Sequence, residues 1–296
     1  MLFITLFAIR EAIVKRQMTI DAKTLESLIE QCQIIARLAG ERIITVYNDK
    51  FEVVQKADNT PLTTADLEAN RVIVDGLESL SFKAPILSEE SAAISFSERT
   101  GWETYWLVDP LDGTREFIAR NGEFSVNIAL IHQGRPILGV VYAPILNIVY
   151  YAASGLGAWK QTGNDSPQKI HVRDLGPGAS VVVARSRSPG TGPLMRRFLE
   201  KLGKHEEIPM GSALKSCLVA EGAADVYPKL GPTSEWDTGA AQCVVEEAGG
   251  RITDLKLRDL RYNTRESLIN PHFLVFGSDK RQWKDYLPSG ISMYPG

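Results

Sequence analysis

Tyr105–Trp106–Leu107–Val108–Asp109–Pro110–Leu111–Asp112–Gly113–Thr114 reads as an apolar strand that runs straight into two aspartates. The strand delivers Asp109, the proline stiffens the turn, and Asp112–Gly113 permits a tight reversal. Thr114 predicts an N-cap for a short helix through Arg115, Glu116 and Phe117. Two carboxylates three residues apart, with the Leu111 carbonyl between them, can surround a cation on one side. The amides of Gly113 and Thr114 at the helix start can hold phosphate on the other. An isolated Asp-x-x-Asp is most often a turn with a cap; six residues in this order after a strand point to function.

Other acidic positions lie far away along the chain. Glu89 and Glu90 follow Pro85–Ile86–Leu87–Ser88, a short predicted strand. Asp237, in Trp236–Asp237–Thr238–Gly239–Ala240–Ala241, opens a predicted helix with Ala240, Ala241, Val244, Val245 and Ala248 on one face. Thr63–Thr64–Ala65–Asp66 has the spacing of a capping box. Each of these also reads as a solvated turn or a cap. Those plain readings explain one site each and predict nothing about the others.

The rest of the chain alternates between the helical and the strand periods. Thr24 to Tyr47 is a long amphipathic helix, Phe51 to Gln55 a strand, and 56–61 a turn. A second helix begins near Thr63 or Thr64. Ser125 to Ile131, Pro136 to Tyr142 and Ile148 to Ala152 form a β-meander. Gly155–Leu156–Gly157 and Thr162 to Pro167 predict a loop and a subdomain boundary. Beyond it come strands at Ser180–Ala184, Asp225–Tyr227 and Phe273–Phe276, and helices at Pro193–Lys201, Ser212–Glu221 and Thr238–Ala248. The expectation is a layered α/β protein. Its parts are an extension at 1–23, subdomains at 24–165 and 166–277, and a tail at 278–296.

Bulk properties exclude several classes. A formal net charge of -3 over 296 residues argues against a polynucleotide ligand, though not against a small anion in a local basic pocket. Cys32, Cys217 and Cys243 are scattered and lack CxxC spacing, which fits reduced thiols in a cytoplasmic setting. Four histidines form no paired metal motif, so a metal here relies on carboxylates and is a hard cation. The apolar run Met1–Ile9 is too short to span a bilayer, and its basic residues follow it. It reads as an appendage: an upstream start ahead of Met18, or a weak anchor on the cytoplasmic side of the inner membrane.

Leu87–Ser88–Glu89–Glu90, Asp109 to Thr114 and Trp236 to Ala241, in this order, resemble the signature set of the inositol monophosphatase superfamily. The closer resemblance is to bacterial 3′(2′),5′-bisphosphate nucleotidases of the CysQ type. Lys56–Ala57–Asp58, Asn121–Gly122–Glu123–Phe124, Gly139 to Pro144, Gly211–Ser212–Ala213–Leu214–Lys215, Leu218 to Gly222 and Tyr262 to Pro271 carry it. The resemblance covers about Thr24 to Phe276 and implies a mixed α+β, layered αβαβα sandwich. It implies that Glu89, Asp109, Asp112, Asp237 and the Leu111 carbonyl ligate two or three Mg²⁺ ions. Asp66 and Thr114 then orient and help deprotonate the attacking water, with Glu89 beside them. Glu89, Leu111, Asp112, Gly113, Thr114 and Asp237 also border the substrate, while Ser212, Lys215 and Lys229 take its second phosphate or its nucleotide edge. At Lys229 a point charge replaces the bidentate fork that an arginine provides. Lys215 and Lys229 also read as ordinary surface lysines, and Arg187 is a further basic candidate.

The implied activity is hydrolysis of adenosine 3′,5′-bisphosphate to AMP and phosphate, a clearing step in sulfate assimilation, with sensitivity to lithium. The implied partner is that small nucleotide bisphosphate, bound by a monomer or homodimer. Inositol-phosphate or fructose-1,6-bisphosphate hydrolysis uses the same metal machinery. A catalytically idle nucleotide-binding relative is the remaining alternative.

Overall fold

The computed structural model describes residues 20–49, 53–55, 61–91, 94–176, 178–187, 192–277 and 281–295. The expected appendage at 1–17, the turn at 56–60 and the Lys56–Ala57–Asp58 segment lie outside the described residues.

Helix α1 (Ala22–Tyr47) starts where Asp21 accepts a hydrogen bond from the Thr24 amide at 2.8 Å. Its buried stripe, Leu25, Leu28, Ile29, Cys32, Ile35, Ala36, Ala39 and Ile43, recurs every three or four residues. The hairpin of β1 (Val53–Gln55) and β2 (Pro61–Thr63) leads into α2 (Thr64–Ser79), which packs along α1.

Strand β3 (Ile86–Ser88), the one-turn helix α3 (Phe96–Arg99) and β4 (Thr104–Asp112) follow. Past α4 (Thr114–Ile118) comes an antiparallel run of β5 (Ser125–His132), β6 (Arg135–Ala143), β7 (Ile148–Ala153), β8 (Gly157–Thr162) and β9 (Gln168–Ile170). Among the described residues, β3 to β9 form one sheet in sequence order, with β3 and β4 parallel.

The second half holds β10 (Val181–Arg185), α5 (Pro193–Leu202), β11 (His205–Pro209), α6 (Leu214–Ala220) and β12 (Val226–Lys229). It ends with α7 (Gly239–Glu247), β13 (Arg251–Asp254) and β14 (Phe273–Phe276). The second sheet has the order β11-β10-β12-β14-β13.

Alternation along β4 explains the layering. Trp106 and Val108 join α1 and α2 in one apolar cluster, while Tyr105 and Leu107 join α6 and α7 in another. That second cluster also takes Val182, Ala184, Tyr227 and Val275 of the second sheet. The opposite face of this sheet, with Val181, Val183, Leu274 and Phe276, packs against Phe198 and Leu202 of α5. The sandwich is therefore αβαβα, as the sequence implied.

The expected loops at Gly155–Gly157 and Thr162–Pro167 flank strands that the sequence did not announce, β8 at Gly157–Thr162 and β9 at Gln168–Ile170. β8 is half-buried and β9 lies at the sheet edge, so neither shows an apolar alternation. Strand β11 was equally hidden, because His205–Glu206–Glu207 is a polar edge. Within the expected tail, the described residues 281–295 pack on the core: Trp283 is 1% exposed and its ring lies 6.3 Å from that of Phe276. A cut at 165/166 separates β9 from the sheet it completes, so we propose the two sheets as the subdomains, with the changeover between Ile170 and Val181.

Gly139 on β6 is where α7 crosses the first sheet. A Cβ there falls 2.2 Å from the Ala240 carbonyl oxygen, a backbone atom that cannot swing aside. Gly139→Ala is expected to cost about 1–3 kcal/mol, read as a lower urea midpoint with an unchanged slope; an unaltered midpoint contradicts this packing.

Candidate active site

The turn after β4 is built by interrupting its ladder. Pairing with β5 is regular to Asp109↔Asn127, and the register shifts before Asp112↔Ser125. Pro110 has no N–H to donate there. The Leu111 amide instead donates to Asp109 Oδ1 at 3.1 Å. Gly113 holds the N-cap position of α4 with φ +93°, in the left-handed region where glycine is favoured. Thr114 is therefore the first residue inside the helix, not its cap. Its hydroxyl reaches the Leu111 carbonyl at 3.4 Å and Asp66 Oδ1 at 3.3 Å.

Asp66 serves the local and the distant purpose together. Oδ2 accepts from the Thr63 amide and hydroxyl, each at 2.7 Å, which closes a capping box on α2. Oδ1 faces Thr114. The parallel pairing Ser88↔Val108 brings the end of β3 alongside β4, so that Glu89 lines the same cleft as Asp109. Ser88 is locked by a 2.7 Å hydrogen bond to Asn70 on α2.

Asp237 differs from expectation in its local setting. It ends a 3-10 turn, Glu235–Asp237, and α7 begins only at Gly239. A capping box with Ser234, whose amide donates to Asp237 Oδ2 at 2.9 Å, fixes the side chain. Sequence reading passed over Ser234, although Ser-x-x-Asp carries that signal.

The carboxylates converge. Oxygens of Asp109, Asp112 and Asp237 all lie within 4.8 Å of one another. Asp109, 1% exposed, is raised well above the usual carboxylate range, first by burial and then by the charges of Glu89, Asp112, Asp237 and Asp66. Asp237 is pushed up to about 7 by burial, then by Asp112 and Glu89. Such a set is stable as anions only around cations, and oxygen donors suit a hard divalent one.

The opposite wall is basic. Lys215 is buried, contrary to the surface-lysine reading. Its Nζ donates to the Ser212 carbonyl at 2.6 Å and sits 5.4 Å from the Tyr227 ring centroid. Burial draws its pKa down to about 8, with Lys229 adding to the fall and Asp112 opposing it. Lys229 and Ser186 also line this cavity of about 600 Å³.

Ser212 precedes α6 with φ +54°, and its hydroxyl donates to Asp112 Oδ2 at 2.6 Å. The Ala213 amide donates to the same oxygen at 2.5 Å. Ser212 thus holds a carboxylate as well as bordering the cleft. Arg187 is not in the cleft lining: it pairs with Glu123, whose carboxylate also accepts the Gly211 amide at 2.9 Å. It anchors the turn that presents Ser212. Trp236, from the quoted signature segment, lines the cavity too, as do Tyr227 and Thr233, which carried no recognisable local signal.

The family model described as "Inositol monophosphatase family" matches residues 24–286. The chain belongs to the inositol monophosphatase family. It is 48% identical over 250 residues to the 3′(2′),5′-bisphosphate nucleotidase CysQ of Escherichia coli (strain K12), covering 84% of this chain and 99% of that protein. The crystal structure of CysQ from Bacteroides thetaiotaomicron matches with a TM-score of 0.75 at 38% identity, over 86% of this chain and 98% of that one. The suhB structure from Bartonella henselae matches with a TM-score of 0.72 at 26% identity, over 90% of this chain and 100% of that one. Inositol monophosphatase family enzymes are metal-dependent, in keeping with the acidic cluster.

The pH sign follows from Asp237. Its folded pKa, about 7, exceeds the ordinary 3.8, so the folded metal-free chain binds the proton more tightly than the unfolded one. Stability is then full below about 4 and is lost as pH rises through about 7. In EDTA the melting temperature is expected to fall across that window, less so in Asp237→Asn, and a divalent cation at pH above the window is expected to restore it. A flat profile with no response to metal contradicts the site.

Proposed function

We propose that the chain hydrolyses adenosine 3′,5′-bisphosphate to AMP and phosphate as an Mg²⁺-dependent phosphoric monoester hydrolase. The observation that carries this reading is the convergence of Asp109, Asp112 and Asp237 within 4.8 Å, with Glu89 in the same cleft and the Asp66–Thr114 pair at its edge. The near full-length similarity to a bisphosphate nucleotidase supports the substrate.

In this reading Glu89, Asp109, Asp112, Asp237 and the Leu111 carbonyl hold two or three Mg²⁺ ions. When bound, these supply Lewis-acid chemistry, acidifying water and offsetting charge on the phosphoryl group. The residues of the chain do the rest. Thr114 Oγ1 accepts the hydrogen of the attacking water as its own proton moves to Asp66 Oδ1. The two donors on Asp66 Oδ2 keep that carboxylate aimed. Ser212 and the Ala213 amide fix Asp112, so its position does not depend on the ligand. Lys215 and Lys229 face the second phosphate from the basic wall. With a pKa of about 8, Lys215 stays mostly protonated at neutral pH.

Among the described residues no helix is long and apolar enough to cross a membrane. The substrate is a small phosphorylated molecule, and we place the reaction in the cytoplasm.

Purified protein with Mg²⁺ is expected to release phosphate from adenosine 3′,5′-bisphosphate with a higher kcat/KM than from inositol 1-phosphate or fructose 1,6-bisphosphate. Activity is expected to be lost in Asp112→Asn and inhibited by lithium. A preference for either sugar substrate overturns the nucleotide assignment and leaves the phosphatase intact. Lys215→Ala is expected to raise KM for the bisphosphate about tenfold to a hundredfold, the size of one charge-assisted hydrogen bond. A comparable loss of AMP affinity is expected, because AMP keeps the 5′-phosphate that Lys215 faces in this reading; AMP affinity untouched by the variant contradicts that placement.

A further inference from the structure

We infer that a second cavity beside the active-site cleft binds a phosphate-bearing small anion without a metal. It has a volume of about 560 Å³ and is framed by β13, the loop that follows it to Pro271, and Tyr294. Arg135, Arg251, Arg258, Arg261 and Arg265 line it, against the carboxylates of Glu235, Asp254 and Asp259. In a chain of formal net charge -3 this excess of guanidinium is local.

The three carboxylates are already engaged. Asp259 pairs with Arg251 at 2.8 Å and with Arg135 at 3.5 Å. Asp254 pairs with Arg258 at 2.6 Å and also accepts the amides of Lys256 at 2.7 Å and Arg258 at 3.1 Å. Glu235, buried, accepts the Asn263 amide at 2.9 Å. Arg261 and Arg265 have no carboxylate within ion-pair distance among the described residues. Arg261 senses Glu246 and Arg265 senses Glu235 only at longer range.

Two uncommitted guanidinium forks in one cavity match the paired oxygens of a phosphate group. The volume exceeds what inorganic phosphate needs and falls in the range of small-molecule sites. Arg265 stacks 3.9 Å from the Tyr294 ring centroid, a flat wall on which a nucleobase can lie. The contrast with the catalytic cleft is electrostatic: that cleft repels anions until cations enter it, whereas this cavity attracts them unaided. The two share Ile269 in their walls. Asn270 joins them further, its side chain donating to the Ser234 carbonyl at 2.6 Å.

The test is calorimetric titration of the full chain in EDTA with inorganic phosphate and, separately, with AMP. EDTA keeps the acidic cleft closed to anions, so saturable binding reports the arginine cavity. Binding is expected to persist in Lys215→Ala and to weaken about tenfold or more in Arg261→Ala/Arg265→Ala. Circular dichroism melting verifies the fold of the double variant, and Arg261→Ala alone, at an exposed side chain, is expected to weaken binding with no change in melting. Tighter binding of AMP than of phosphate assigns a nucleotide, and equal binding assigns the phosphate group alone. No saturable heat, binding untouched by the arginine variants, or binding abolished by Lys215→Ala overturns the inference. An inactive phosphatase would still bind here, so the outcome is separate from that of the catalytic reading.

Discussion

Repulsion among Asp109, Asp112, Asp237 and Glu89 is the constraint that the rest of the structure answers. Two unit charges about 5 Å apart repel by roughly 3 kcal/mol at an effective dielectric of about 20. Several such pairs reach a large share of the 5–15 kcal/mol, roughly, by which a domain is stable at all. The three aspartates, and Asp66 beside them, are each held by a local device. Asp109 is pinned in a broken ladder and bonded to the Leu111 amide. Asp112 accepts from Ser212 and from the Ala213 amide. Asp237 is closed into a capping box by Ser234, and Asp66 into another by Thr63. Backbone donors therefore hold the charges in place before any cation arrives.

The layers make those devices rigid. Side chains on both faces of β4 are buried, Trp106 and Val108 towards α1 and α2, Tyr105 and Leu107 towards α6 and α7. The strand that carries the aspartates cannot shift without disturbing two cores. Helices α6 and α7 lie between the sheets. One brings Lys215 into the cleft, and the other follows directly from the turn of Asp237. The first half of the chain thus supplies Glu89, Asp109 and Asp112, the second supplies Asp237 and the basic wall, and they meet where the two sheets face the same helices.

Much of this was legible in the sequence, wherever the signal was local. The Asp109–Thr114 turn, the cap at Thr63–Asp66 and the periodicity of α1 are short-range patterns and stand, except that Gly113 and not Thr114 takes the N-cap of α4. The αβαβα layering followed from resemblance more than from periodicity. Strand β8 and the edge strands β9 and β11 escaped because half-exposed strands carry no apolar alternation. Trp283 escaped because one aromatic in a polar tail says nothing of the core it enters. Arg187 reads as a substrate contact until Glu123, 64 positions earlier, is seen beside it. Ser212 borders the cleft as expected, yet its hydroxyl is turned onto Asp112, which no local pattern records.

The most direct measurement of the central claim is anomalous diffraction from crystals soaked in Mn²⁺. The expected result is strong peaks bridging the carboxylates of Asp109, Asp112 and Asp237, with Glu89 completing the set. Crystals that hold the ion only elsewhere, with these four side chains unchanged and unoccupied, would contradict the account.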